Sequence, residues 1–137
     1  MERARVAVLK TSAATVLEDY KRLLRLAGYQ QFLPRDKETA LKINVSWHFF
    51  YPACSTTPWQ LDGVIATFLE DGYERDKLYG CHNRTVVVSA KRGEVANKHK
   101  QVVVDKYGLR NIHLYEKSEP WVRYVPQARM LVLDSIY

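Results

Sequence analysis

Twice in its first half the chain passes from a short Val-, Leu- or Ile-rich run into an amphipathic stretch. That alternation constrains the fold more than any other feature. Residues 5–12, "RVAVLKTS", are nearly continuous in apolar character, as a strand covered on both faces is. In the following "SAATVLEDYKRLLRLAGY", Val16, Leu17, Tyr20, Leu23, Leu24 and Ala27 recur at helical spacing. Ser12 is placed to cap this helix and Gly28 to end it in the left-handed conformation. Residues 39–46, "TALKINVS", predict a second strand, and "TPWQLDGVIATFLEDGY" a second helix. Here Thr57 suits the N-cap, Pro58 the first helical position and Gln60 the reciprocal bond of a capping box. Leu61, Val64, Ile65, Phe68 and Leu69 form its apolar stripe, and Gly72 closes it.

Beyond this, "KLYGCHNR" (77–84) predicts a third strand running into a loop. "TVVVS" fits either an extension of that strand or a buried arm of the loop. Residues 94–107 predict a third helix ending at Gly108. Residues 110–116, "RNIHLYE", predict a fourth strand and residues 128–137, "ARMLVLDSIY", a fifth. The order β-α-β-α-β-α-β-β implies a three-layer, Rossmann-like α/β domain with a mainly parallel sheet of four or five strands. One domain fits 137 residues, and 47% apolar residues suffice for a core.

No apolar run approaches the roughly 18 residues that a membrane span requires. "MERARVAVLK" has no secretory pattern, so a cytoplasmic setting with reduced thiols is expected for Cys54 and Cys81. The net charge of +6 would favour anionic partners, but its Lys and Arg residues are scattered among acidic ones. "AKRGEVANKHK" is basic without an aromatic platform. It reads as a solvated helix face, which argues against nucleic acid as the partner.

Ligands of open parallel sheets bind beyond the carboxyl ends of the strands. Two loops there carry unusual residues. In the first, Lys42 and Asn44 alternate on an otherwise apolar strand. A buried Lys42 would need an acceptor or a bound anion, whereas a Lys at the sheet end would reach solvent. Ser55, Thr56 and Thr57 precede a helix N-terminus, whose free N–H groups favour an anion. Capping accounts for Thr57 but not for the two hydroxyls before it. Between them residues 47–51, "WHFFY", place aromatic rings where loops are polar. Core packing, a lid, a pocket wall and a subunit interface all fit this run.

The second loop is "CHNR". His82 is the candidate acid or base, and Asn83 and Arg84 could bind an anion, Arg84 through a bidentate fork. Cys54, Cys81, His82 and His48 could meet across adjacent strand ends as a soft metal site. The competing readings are a small buried Cys81 and a hydrogen-bonded loop His82. No dinucleotide fingerprint, P-loop, nucleophile elbow or Cys/His finger spacing is present.

Taken together, "VAVLKTS", "ALKINVSW" and "STTPWQLDGVIATFLEDGY" resemble the domain-of-unknown-function family numbered three-six-two. Its pattern of a strand ending in Lys-x-Asn before a Thr-Pro helix start matches Lys42, Asn44, Thr57 and Pro58. "CHNRTVVVSAKRGE" and "GLRNIHLYE" look like an aromatic-rich branch of it. The family has no established general activity, so the resemblance implies no particular reaction or cofactor. Some members are fused to ferredoxin-type iron–sulfur modules, but two cysteines cannot supply the four thiolates of an ordinary cluster. Family members are longer, with a further Lys- and His-containing stretch. The resemblance therefore implies that this chain is the N-terminal part of such a protein, with the missing C-terminal half as partner. Separately, an unfinished sheet edge with unpaired strand groups would favour a second copy as partner.

The sequence thus predicts a domain that binds a small anionic ligand at the strand ends, possible as half of an enzyme. The alternative is a non-catalytic assembly module using the aromatic loop.

Overall fold

The computed structural model describes residues 6–51, 53–116 and 122–125. Three strands form a parallel sheet in the order β1 (Thr39–Lys42), β2 (Leu78–His82), β3 (Arg110–His113). The register sets Lys42 opposite Cys81 and His82 opposite His113, so the carboxyl ends of all three strands lie side by side. Helix α2 (Pro58–Glu70) connects β1 to β2. The second connection holds α3 (Ala90–Ala96) and a π-helical segment (Gln101–Lys106). Helix α1 (Val16–Ala27) packs on α2, where Lys21 pairs with Glu70 (2.6 Å) and Arg25 with Asp71 (2.8 Å).

The core is the apolar content of these elements brought together. Ile43, Leu61, Ile65, Phe68, Leu78, Val103 and Leu109 are buried, with Tyr29 and Tyr73 against Phe68. Removing such side chains from water is the main stabilising contribution, at about 25 cal/mol per Å² of apolar surface. Gly80, in the central strand, is closely packed on the core side. A Cβ there would lie 2.7 Å from Asn111 Oδ1, 3.1 Å from Val103 Cγ1 and 3.2 Å from Ile43 Cδ1.

Several sequence expectations need correction. The predicted first strand is not one over its described residues. Residues 6–12 are irregular, Val6 and Val8 are exposed, and residues 6–8 share a shallow cavity with Leu26 and Ala27 of α1. A Val-rich run becomes a strand only where a ladder partner and a covered face await it. The second strand stops at Lys42 rather than Ser46, although Ile43 adds one further bond to Cys81 O (2.9 Å).

Thr15, not Ser12, is the N-cap of α1; its hydroxyl is donated to Asp19 Oδ2 (2.6 Å). Thr57 occupies the N-cap position of α2 and Pro58 follows it, but the Thr57 side chain makes no capping bond, so the box with Gln60 does not form. The single helix expected over 94–107 is divided. Lys98 adopts a positive φ of 65°, which separates α3 from the π-helical segment. "TVVVS" is loop, with Val88 buried and Val86 and Val87 exposed. The predicted fourth strand shortens to β3 and passes into a 3-10 turn, Leu114–Glu116. Gly28, Gly72 and Gly108 sit at left-handed turns, as their positions predict. The fifth predicted strand lies outside the described residues. Among the described residues, no helix is long and apolar enough to cross a membrane.

Candidate functional site

The β1–α2 loop brings the first set of predicted residues together, and it does so by hydrogen-bonding them to each other. Asn44 N donates to Thr56 Oγ1 (3.0 Å), Thr56 N to Asn44 O (3.0 Å), Asn44 Nδ2 to Ser46 Oγ (2.6 Å) and Ser46 N to Ser55 Oγ (3.2 Å). The Ser55 and Thr56 hydroxyls, left unexplained by capping, close the base of the loop. Lys42 is exposed, and its Nζ donates to Ile43 O (3.1 Å). Of the two readings open for Lys42, the structure shows the sheet-end lysine that reaches solvent.

Within the loop, Trp47 stacks on His48 (ring centroids 5.0 Å apart) and His48 contacts Phe49 (4.5 Å). Trp47, Phe49, Phe50 and Tyr51 remain exposed. The loop lies flat on α3 because Gly93 has no side chain: a Cβ there would overlap Val45 Cγ1 and sit 3.4 Å from Trp47 O. Asn97 Nδ2 clamps the same carbonyl (3.1 Å).

Beyond β2, Asn83 Oδ1 accepts from Arg84 N (2.8 Å), which turns the chain outward. The Arg84 guanidinium lies 5.0 Å from the Tyr115 ring, and Arg92 lies 5.1 Å from the Phe49 ring. Both wall an open cavity of about 470 Å³, together with His48, Ser89, Lys91 and Glu116. Lys91 pairs with Glu116 (2.5 Å). Neither Arg84 nor Arg92 has an ion pair among the described residues. A larger cavity, about 950 Å³, opens between residues 11–18 and the start of α2. No strand residue lines it, and both of its carboxylates are tied, Asp62 to Lys106 and Tyr107 and Glu18 to Lys21.

Behind the cationic wall lies a cluster that was not assembled from the sequence. Glu94 of α3 is buried, and its Oε2 accepts from Asn111 Nδ2 (2.8 Å) and His113 Nε2 (2.9 Å). His82 Nε2 is 3.4 Å from the same oxygen, but without hydrogen-bond geometry, so neither ring nitrogen of this fully buried residue has a partner among the described residues. Burial pushes His82 down to about 4, against the pull of Glu94. His99, also fully buried, is lowered for the same reason; its Nε2 lies 2.5 Å from Thr56 O, which makes that nitrogen the donor. The His82 and His113 rings stack at 5.4 Å. The alternation "NIH" offered one signal, because a period of two puts Asn111 and His113 on one face of β3. Glu94 offered none, since its partners lie on a separate element.

The cysteines are free thiols. Burial raises Cys81 above its ordinary range. Among the described residues, no group of three or more His, Cys, Asp or Glu side chains is disposed to hold a metal ion. Cys54, Cys81, His82 and His48 are therefore not gathered into the soft metal site that their sequence positions allowed. Comparison with protein-family models, curated proteins and solved structures found no match.

Proposed function

We propose that the protein binds a small anionic group at the carboxyl ends of its parallel strands, in the cavity walled by Arg84 and Arg92. One observation carries the reading: two guanidiniums, each resting on an aromatic ring and neither in an ion pair among the described residues, border the same cavity. A guanidinium laid on a ring keeps its N–H fork available, and that fork matches a carboxylate or phosphate in bidentate geometry. In this reading Asn83 aims Arg84. Asn44, Ser55 and Thr56 shape the neighbouring loop, Lys42 and Thr57 lie beside it, and His82 supports the wall from behind. The net charge of +6 raises the local concentration of anions.

The proposal extends to the wider architecture. The three-stranded sheet would be the described part of a three-layer, Rossmann-like domain of four or five strands. The chain would be the N-terminal part of a member of the family numbered three-six-two.

Calorimetric titration with inorganic phosphate tests the site. Saturable binding is expected, weakened at least about tenfold by Arg84→Ala or Arg92→Ala, since hydrogen bonds to charged groups contribute roughly 1.5–3 kcal/mol. Unchanged affinity in the double variant would sink the reading.

A second reading, an assembly surface, is favoured by the exposure of Trp47, Phe49, Phe50 and Tyr51 in one loop.

A further inference from the structure

The cationic cavity contains its own carboxylate, and that carboxylate is linked to the buried cluster. Glu116 Oε1 holds Lys91 Nζ (2.5 Å), while Glu116 Oε2 stands 3.9 Å from His113 Nδ1. The other nitrogen of that ring is bound to Glu94. His113 thus bridges from a buried carboxylate to one on the cavity wall. We infer that the cavity takes up its anion together with one proton, which His113 carries. The inference rests on the anion-binding reading above and assigns the protonation that accompanies it.

The physical argument follows the charges. An anion entering the cavity competes with Glu116 for Lys91. That pair is partly solvent-exposed, so breaking it is cheap. The Lys91 ammonium beside Glu116 holds this carboxyl below its usual range, so the group that is displaced is a carboxylate. It then faces His113, and its remaining cation is Arg84, which the bound anion itself engages. A proton on His113 restores the balance by pairing with Glu116 on one side and Glu94 on the other.

The groups facing His113 are consistent with this. Glu94 of α3 and Glu116 of the 3-10 turn present carboxylate oxygens to its two ring nitrogens, and Tyr115 lies tilted beside it. His82 of β2 stacks on the inner side and, with His99 behind it, stays neutral because burial disfavours its charge. The added proton therefore resides on His113 and not deeper in the molecule.

The test is calorimetric titration with sulfate, which is fully ionised near neutral pH, in buffers of different ionisation enthalpy. Any proton taken up then belongs to the protein. The wild-type chain is expected to take up a proton on binding. Its sulfate affinity should fall with rising pH, at most about tenfold per pH unit for one linked proton. His113→Gln should bind sulfate without proton uptake and with a flat pH profile. Glu116→Gln, an exposed substitution that removes the internal competitor, should bind several-fold tighter and take up less. Sulfate binding without proton uptake in the wild type, or uptake that persists in His113→Gln, overturns this inference and leaves the anion site standing. Absence of sulfate binding in every variant overturns both.

Discussion

His82 has given up water without gaining a well-formed hydrogen bond among the described residues, and the consequence should be visible in how stability depends on pH. In the unfolded chain its imidazole protonates as pH falls through about 6.5. In the folded chain burial delays protonation to about 4. Between those values the unfolded state binds more protons, so stability falls as pH falls. The contribution is fully present above about pH 6.5, and the loss across the window is roughly 3 kcal/mol. Urea unfolding at intervals from neutral pH to about pH 4 should show this slope, and His82→Gln should flatten most of it. A slope that His82→Gln leaves unaltered would point to His99 instead. At this scale the sequence was partly legible. "CHNR" marked Arg84 and His82 as candidate site residues, because such residues are rare at the end of a core strand. It could not show that His82 is sealed off from solvent while Arg84 faces the cavity. That division depends on Glu94 and His113, which arrive from elements remote in the chain.

At the scale of elements, the contact that positions the aromatic loop is the face of α3 at Gly93. Gly93→Ala should cost about 1–3 kcal/mol by overpacking against Val45. It should also weaken phosphate binding, because Arg92 rests on Phe49 of the displaced loop. Thr57→Ala should cost under about 0.5 kcal/mol, well below the roughly 1 kcal/mol of a working N-cap, since its side chain makes no capping bond. Chemical denaturation of the two variants checks both expectations, and a costly Thr57→Ala would restore the capping role. Helices α1 and α2 were readable from their period, with Pro58, Gly28 and Gly72 at their ends, although the expected side-chain caps did not form. The division at Lys98 was not, since no Gly or Pro announces it. The Val-rich residues 6–12 misled because strand propensity counts only beside a partner, and the described residues supply none there.

Over its described residues the molecule is a parallel α/β unit whose strand ends lie side by side, and that much followed from the alternation of periods along the chain. The topology also sets a prediction about association. With Trp47, Phe49, Phe50 and Tyr51 exposed together, light scattering on a size-exclusion column should report self-association that Phe50→Ser abolishes. A monomer at all accessible concentrations would remove the assembly reading and leave the anion site untouched.

One feature of the central strand joins these scales. The missing side chain at Gly80 is what lets the amide of Asn111 lie over the sheet while Val103 and Ile43 close in behind. Asn111 in turn steadies the carboxylate that His113 binds. A repacking of the interior that swells Val103 by a single methylene would press on that amide and be felt at the Glu94 carboxylate it holds. Anyone re-engineering this chain for robustness would find its oily centre and its polar pocket to be one mechanical part, adjustable only together.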